Sequence, residues 1–293
     1  MNKINGPIII GGIGGSGTRV IAQILRELNC FIGNDLNESL DNLSYTLLFK
    51  RKKWYYKNED SKNKIFTGLS VLEKSMLNNH PEFSIKEYFF LFTAMISMYW
   101  RGHNKEGDGK GRWAIERKNQ IVLGNNPIND YNLWGWKEPN SHLILPFLKE
   151  YFPNLKYIFT IRNGLDMAFS KNQQQLFNWG ALFGIDYPKK AKEIPEASFR
   201  YWLAANKRVI QIGETMGNDR FHIVNFDKLS NLDYDEIRSF LSFLNIDIEE
   251  NKIYKIESII KRPETIGRYN NYAIDWFKEE DELELMNLGF NLK

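Results

Sequence analysis

A glycine-rich stretch near the start of the sequence has the composition of an anion-binding loop. Five of the seven residues from Gly11 to Gly17 are glycines, and Thr18 and Arg19 follow directly. The apolar run Pro7–Ile10 before the loop predicts a buried strand, and apolar residues at helical spacing after it predict a helix. The backbone N–H groups of such a loop and the dipole of the following helix together favour a phosphate-type ligand.

This loop fits two templates that bind different nucleotides. The spacing Gly12-x-Gly14-x-x-Gly17 matches the dinucleotide fingerprint, and Asp35, 18 positions after Gly17, is a candidate ribose ligand. On that interpretation the protein is a nicotinamide- or flavin-dependent oxidoreductase. The P-loop of nucleoside-triphosphate enzymes instead needs Lys and then Ser or Thr after its last glycine, where this sequence has Thr-Arg. An ordinary Mg-ATP kinase is therefore disfavoured.

A strand-end arginine followed by a hydroxyl forms a second candidate anion site. Leu155–Ile161 predicts a buried strand that ends at Arg162, and Ser170 lies eight positions further, on the predicted next helix. A guanidinium and a hydroxyl placed in this way can hold one anion. Lys137 precedes a helix opened by Pro139 and adds an ammonium at the same edge of the sheet. A dinucleotide oxidoreductase has no general use for the Arg-Ser pair.

A parallel sheet is needed to bring these residues together. A third strand is predicted at Phe221–Phe226, followed by a helix that carries apolar residues from Ile237 to Leu244. Strands that alternate with helices predict an α/β fold of three layers with a parallel sheet. We expect a single domain over residues 1–293.

Residues 50–130 interrupt the strand and helix alternation. They are rich in aromatic residues and contain helical stretches such as Tyr88–Trp100, which predicts a helical insertion that acts as a substrate lid. Lys50–Lys64 holds seven Lys and Arg against two acidic residues, typical of a solvated segment or of a surface for an anionic acceptor. The polar, glycine-rich segment Gly102–Gly111 predicts a loop.

Composition excludes several classes of protein. The chain has 39 Lys and Arg against 36 Asp and Glu, so its charge is too balanced for a nucleic-acid-wrapping protein. The single cysteine, Cys30, excludes an intrachain disulfide, and the histidines lack metal-ligand spacing, so no metal is predicted. No stretch reaches the length of a membrane span. We expect a soluble, cytoplasmic protein without integral membrane association.

Three segments of the chain resemble the sulfotransferases that use 3′-phosphoadenosine 5′-phosphosulfate (PAPS). The segment IIIGGIGGSGTR (Ile8–Arg19) resembles their 5′-phosphosulfate loop. KEPNSHLILPFLKEYFPNLKYIFTIRNGLDMAFS (Lys137–Ser170) resembles their Lys-x-Pro helix, strand and 3′-phosphate motif. FHIVNFDKLSNLDYDEIRSFLSFLNI (Phe221–Ile246) resembles the segment before their C-terminal loop. Together the segments cover about half of the chain.

The resemblance implies a role for residues at each matching position. It assigns the 5′-phosphosulfate to Gly14, Gly15, Ser16, Gly17, Thr18 and Arg19. It assigns the 3′-phosphate to Arg162 and Ser170, which distinguishes PAPS from ATP. A basic C-terminal loop that closes over the cofactor is matched by Lys261-Arg262-Pro263 and Gly267-Arg268; a basic surface turn is the alternative for these residues.

One position departs from the family pattern. Family members often carry Lys or Arg where this chain has Gly15, and that cation neutralises charge on the bridging oxygen as sulfur leaves. Lys137 and Arg19 are the available substitutes, since transfer of a charged group depends on cations placed at its oxygens. We favour Lys137. If neither side chain reaches the bridge, the protein is slow or binds nucleotide without catalysis.

The acceptor hydroxyl also needs a general base. Asp35 and Glu38 follow the first helix in a region that resembles the position of a catalytic glutamate in some family members, and His142 lies in the helix after Lys137. Each has a structural alternative, as a helix cap, a surface charge or a packed core residue. Glu138 and Glu116 are further candidates.

The function implied by the resemblance is transfer of a sulfuryl group from PAPS to an acceptor hydroxyl or amine, with PAP as the other product. A basic, aromatic insertion favours a carbohydrate acceptor first and a small hydroxylated metabolite or lipid second. The competing interpretations are the oxidoreductase and a nucleotide-binding protein without catalysis. The sequence does not predict an oligomeric state.

Overall fold

The computed structural model of the protein describes residues 5–100, 110–124, 128–246 and 250–292. Within these residues the strands are β1 (Asn5–Gly12), β2 (Cys30–Phe31), β3 (Leu133–Lys137), β4 (Lys156–Ile161) and β5 (Phe221–Asn225). They form one parallel sheet in the order β2-β3-β1-β4-β5. The predicted α/β fold with a parallel sheet is confirmed.

The sequence patterns locate β1, β4 and β5 to within two residues at each end, but they miss β2 and β3. Strand β2 has only two residues, too few for a periodic pattern. Strand β3 has the sequence LWGWK, with a glycine in its interior and no β-branched residue. A Cβ at Gly135 would lie 1.7 Å from the carbonyl oxygen of Ile8, so this glycine permits the close approach of β3 to β1.

The chain forms two compact units, one made of residues 1–9 and 28–155 and the other of residues 10–27 and 156–293. The α-helices, in chain order, are α1 (Thr18–Glu27), α2 (Leu43–Phe49), α3 (Lys52–Asn58), α4 (Lys62–Leu77), α5 (Ile85–Tyr99), α6 (Lys110–Leu123), α7 (Leu145–Tyr151), α8 (Gly164–Ala168), α9 (Gln174–Trp179), α10 (Ile194–Glu214), α11 (Phe226–Ser230), α12 (Tyr234–Phe243), α13 (Glu250–Ile259) and α14 (Glu279–Asn287). Helices α2 to α7 belong to the first unit, and the others belong to the second. The single domain over 1–293 stays a prediction.

The described part of the region between residues 50 and 130 is mainly helical, as predicted, and contains α3 to α6. Helix α5 begins at a capping box in which Ser84 and Glu87 bind each other's backbone N–H groups. Its outer face exposes large apolar side chains, with Ile85 89% and Phe89 70% exposed. Residues 102–109 of the predicted loop lie outside the described residues. In the described part of the chain no helix has the length and apolar character needed to cross a bilayer.

Two helix predictions differ from the structure. The helix expected at Pro139 starts as a 3-10 helix, Pro139–Ile144, and becomes α-helical only at Leu145, because Pro146 in the first turn of α7 has no N–H to donate backwards. Ser170 does not lie on a helix, since α8 has five residues and ends at Ala168. Cys30 packs as a small apolar residue, and burial raises its pKa to about 12.

Candidate functional site

The glycine-rich loop of the second unit joins β1 to α1 and turns sharply at two positions. Gly15 and Gly17 adopt φ values of +94° and +93°, which favour glycine. The N–H of Ser16 donates to the carbonyl of Ile13 at 3.0 Å, and the N–H of Val20 donates to Gly17 at 3.0 Å. The predicted loop residues from Gly14 to Arg19 therefore lie together at the N-terminus of a helix, with Arg19 exposed.

Polar atoms around this loop are buried without partners. In the described part of the chain the Ser16 Oγ, the Thr160 Oγ1 and the Arg162 Nε are buried and make no hydrogen bond. Buried donors are usually satisfied, and leaving one unsatisfied costs about 1–3 kcal/mol. Three such atoms beside an anion-binding loop fit a ligand that offers several oxygen acceptors.

Glycine at position 17 is required by packing as well as by backbone angle. A Cβ at Gly17 would lie 2.0 Å from the Phe226 ring, at the start of α11. We expect Gly17→Ala to lower the free energy of unfolding by about 2–4 kcal/mol, from overpacking and from a positive φ. Chemical denaturation measures this loss.

Gly184→Ala is the matched control for that variant. Gly184 also has a positive φ, +70°, but a Cβ there would meet nothing within 4 Å. Its loss should be about 1 kcal/mol, the backbone contribution alone. Equal losses in the two variants would show that contact with Phe226 does not restrict position 17.

A glutamine from a distant helix also contacts the loop. The N–H of Gly14 donates to the Gln175 Oε1 at 2.8 Å, and Gln175 lies on α9. A phosphate or sulfate oxygen accepts from the same N–H, so an anion in the loop competes with this carboxamide. Nothing in the local sequence signals the contact, because 161 positions separate the two residues.

Arg162 follows β4 and links the loop to the C-terminal segment. Its Nη1 donates to the carbonyl of Gly15 at 3.4 Å, and its Nη2 donates to the Thr265 hydroxyl at 2.9 Å. Asp166 lies 3.7 Å from the guanidinium. Burial lowers the pKa of Arg162, and the charges of Asp166 and Asp227 oppose that shift. The side chain is 5% exposed and thus desolvated.

The segment near residue 267 is fixed by the same aspartate. Asp166 accepts backbone N–H bonds from Gly267 at 2.8 Å and from Tyr269 at 3.4 Å. The Arg268 Nη1 donates to the carbonyl of Phe169 at 3.5 Å, which places Arg268 near the chain that leads to Ser170. Arg262, the other predicted basic residue, is exposed.

Ser170 is positioned by a neighbouring glutamine. The Gln173 Nε2 donates to the carbonyls of Met167, Ala168 and Ser170 at 3.1, 3.0 and 2.8 Å. The Ser198 hydroxyl in turn donates to the Gln173 Oε1 at 2.6 Å. These bonds satisfy carbonyls at the end of α8 and explain why Ser170 lies beyond the helix.

Lys137 lies in the first unit, at the carboxyl end of β3, and is 2% exposed. Its Nζ donates to the carbonyl of Ser39 at 3.0 Å and forms an ion pair with Asp41. Asn37 stabilises the loop that contains Ser39 and Asp41, since its Nδ2 donates to the Asp41 Oδ2 at 3.0 Å. Sequence analysis did not identify Asp41 or Asn37 as partners of this lysine.

The carboxylate after Lys137 is completely buried. Glu138 caps the following 3-10 helix by accepting from the N–H of Asn140 at 3.0 Å, and the Lys50 Nζ lies 3.6 Å from its other oxygen. Burial raises the pKa of Glu138, while Lys50 acts in the opposite direction. Glu138 therefore serves as a helix cap, the structural alternative that sequence analysis gave for Asp35 and Glu38 but not for this residue.

The three principal base candidates lie in different environments. Asp35 pairs with Arg117 at 2.6 Å; burial raises its pKa, which Arg117 opposes and Glu116 reinforces. Glu38 is exposed in the loop that holds Asp41. His142 is 0% exposed in the 3-10 helix. The structure thus leaves Asp35 and Glu38 nearer to solvent than His142.

Comparisons with known proteins agree with this fold. The profile described as "Sulfotransferase family" matches residues 7–250, and the chain therefore belongs to the sulfotransferase family. This membership favours the sulfotransferase interpretation of the glycine loop over the dinucleotide one. A search of curated proteins finds no match.

Solved sulfotransferase structures are similar to this chain at low sequence identity. The sulfotransferase domain from the curacin biosynthetic pathway is 13% identical, with a TM-score of 0.51 over 100% of both chains. Sulfotransferase STF9 from Mycobacterium avium is 13% identical, with a TM-score of 0.48 over 99% of this chain and 78% of that one. The sulfotransferase domain of the Synechococcus PCC 7002 olefin synthase is 13% identical, with a TM-score of 0.46 over 100% and 98%.

Among the described residues, no three His, Cys, Asp or Glu side chains are grouped so that they could hold a metal ion. The expectation of metal-free chemistry stays a prediction.

Proposed function

We propose that the protein transfers a sulfuryl group from PAPS to a hydroxyl or amine of an acceptor, with PAP as the second product. The observation that carries this proposal is the desolvated Arg162, whose Nε lacks a partner among the described residues and whose Nη1 bonds to the glycine loop. Arginine recognises phosphate through paired N–H bonds. An arginine bonded to a phosphate-type loop suits a nucleotide with a second, separate phosphate.

The second unit supplies the residues of the proposed donor site. PAPS, when bound, supplies an activated sulfuryl group and PAP as its leaving group. The loop N–H groups and the Ser16 hydroxyl bind the 5′-phosphosulfate of PAPS. Its 3′-phosphate is bound by Arg162, Ser170 and Arg268. Arg262 and Arg19 are exposed and add positive charge at the rim.

The first unit supplies the proposed catalytic residues. Lys137 stabilises negative charge on the oxygen from which sulfur departs, and Asp41 keeps this buried ammonium paired. Asp35 or Glu38 removes the acceptor proton as the hydroxyl attacks. The raised pKa of Asp35 suits a general base.

The proposed acceptor class is supported by residues of the helical region 50–130. Exposed lysines of α3 and the exposed aromatic face of α5 support a polar acceptor with ring faces, such as a carbohydrate, and a small hydroxylated metabolite as the next choice. This region is proposed as the acceptor lid. The free, buried thiol of Cys30 is compatible with the proposed cytoplasmic location.

Calorimetric titration with PAP, AMP and NADH tests the proposal. PAP and AMP differ only in the 3′-phosphate, so we expect PAP to bind at least 100-fold more tightly than AMP, and NADH not to bind. Equal affinities for PAP and AMP would contradict the donor assignment. PAP binding without turnover in a broad acceptor screen would instead indicate a nucleotide-binding protein without catalysis, as the missing cation at Gly15 would allow.

A further inference from the structure

Arg51 is a buried cation without a carboxylate partner. It precedes α3 and is 2% exposed, and burial lowers its pKa to about 9. Its guanidinium carbon lies 4.2 Å from the centre of the Trp54 ring and 5.1 Å from that of Phe90. Its Nε donates to the carbonyl of Leu48 at 3.0 Å, whereas its Nη2 is buried and makes no hydrogen bond to the described residues.

These contacts leave part of the cost of burial uncompensated. Burying a charge without a partner of opposite charge is unfavourable, and cation–π contacts and one hydrogen bond offset only part of that cost. By contrast, the buried Lys137 of the same unit is paired with Asp41, and the half-buried Arg117 is paired with Asp35. Arg51 has no such partner in the described chain. The position therefore suits an anion from outside the protein.

The geometry of the guanidinium defines the shape of that anion. The guanidinium lies over the Trp54 and Phe90 rings, and its Nε is bonded to the Leu48 carbonyl, so a ligand would bind through the Nη1 and Nη2 N–H groups. Two parallel N–H groups match the two oxygens of a carboxylate.

We propose that Arg51 binds a carboxylate of the acceptor, so that the protein sulfates a hydroxylated carboxylic acid. This rests on the proposed function, in which residues 50–130 hold the acceptor. It narrows the acceptor from any polar ring compound to one that carries a negative charge.

Binding of two matched probes tests the proposal in the full chain without nucleotide. The probe 4-hydroxyphenylacetate has a carboxylate, and 4-hydroxyphenylacetamide has the same shape without the charge. Calorimetry should give at least tenfold tighter binding of the acid to the unmodified protein. Arg51→Met should bind both probes equally weakly, and Arg51→Lys, which keeps the charge but loses the planar fork, should fall between. Equal binding of the probes by the unmodified protein would overturn the proposal.

Two controls separate the possible causes. Arg112→Met removes an 84% exposed arginine of the same unit and should leave the tenfold preference unchanged. PAP affinity, which depends on the other unit, should be the same in Arg51→Met. Far-ultraviolet circular dichroism and the melting temperature report whether Arg51→Met is folded; if it does not fold, Arg51→Lys decides. Tighter binding of phenyl phosphate than of the acid would overturn the carboxylate assignment. If the unmodified protein does not bind PAP but still prefers the acid to the amide, the proposed function is contradicted and the carboxylate site is not.

Discussion

Replacing Lys137 by methionine should lower the rate of sulfuryl transfer by about 10²–10³-fold. Removing one group that stabilises developing charge in a desolvated site has effects of this size. PAP affinity should change less than threefold, because the proposed PAP ligands all lie in the second unit. The release of PAP from PAPS, with an acceptor found by screening hydroxylated acids and sugars, measures the rate.

Lys156→Met is the matched control for this variant. Lys156 is the first residue of β4, and its Nζ donates to the carbonyl of Asp219 at 3.2 Å. Like Lys137, it is a lysine at a strand terminus bonded to a backbone carbonyl, but it has no proposed role in transfer. Its rate should equal that of the unmodified protein. A Lys137→Met protein that folds, binds PAP and retains more than a tenth of the rate would exclude Lys137 as the substitute for the cation missing at Gly15.

Removing both Arg162 and Ser170 side chains by substitution to alanine should abolish the preference for PAP over AMP. Hydrogen bonds to charged groups contribute about 1.5–3 kcal/mol each, so PAP affinity should fall at least 100-fold, or about 2.7 kcal/mol. AMP affinity should change little, since AMP lacks the 3′-phosphate. The ratio of the two dissociation constants, measured by calorimetry, isolates recognition of that phosphate from damage to the loop.

Arg200→Ala provides the control for structural loss. Arg200 pairs with Asp281, a buried carboxylate of the second unit, much as Arg162 pairs with the buried Asp166. Both substitutions leave a buried aspartate without its arginine, so both should lower thermal stability, but only the Arg162 and Ser170 change should alter the PAP to AMP ratio. A preserved ratio in the double variant would refute the 3′-phosphate assignment.

The sequence predicts those elements whose residues carry their own signal. Three consecutive buried isoleucines mark β1, and the apolar run before Arg162 marks β4, because strands covered on both faces read as continuous apolar segments. Strand β3 escapes detection because its glycine is selected by contact with the backbone of β1, not by strand propensity. Short strands, and strands whose residues are selected by close contact with a neighbouring backbone, can be located only in the assembled sheet.

The candidate site likewise contains some residues that the sequence predicts and others that it does not. The glycines of the loop and the strand-end Arg162 are visible in the sequence, since local spacing determines their chemistry. The partners that fix them are not visible: Gln175 lies 161 positions from Gly14, and Thr265 lies 103 positions from Arg162. The Lys137 and Asp41 pair likewise joins residues 96 positions apart. No local pattern records contacts at such separations.

The division of β1 between the two units has a consequence for the order in which parts of the chain can fold during translation. All segments of the first unit have been translated once residue 155 has been made. The glycine loop is translated among the first 20 residues, but it packs against Phe226, donates a hydrogen bond to Gln175 and accepts one from Arg162. Long-range contacts of this kind form late because loop closure must precede them. The segments of the first unit, for which we propose acceptor binding, are therefore translated before the glycine loop, for which we propose nucleotide binding, can complete its contacts.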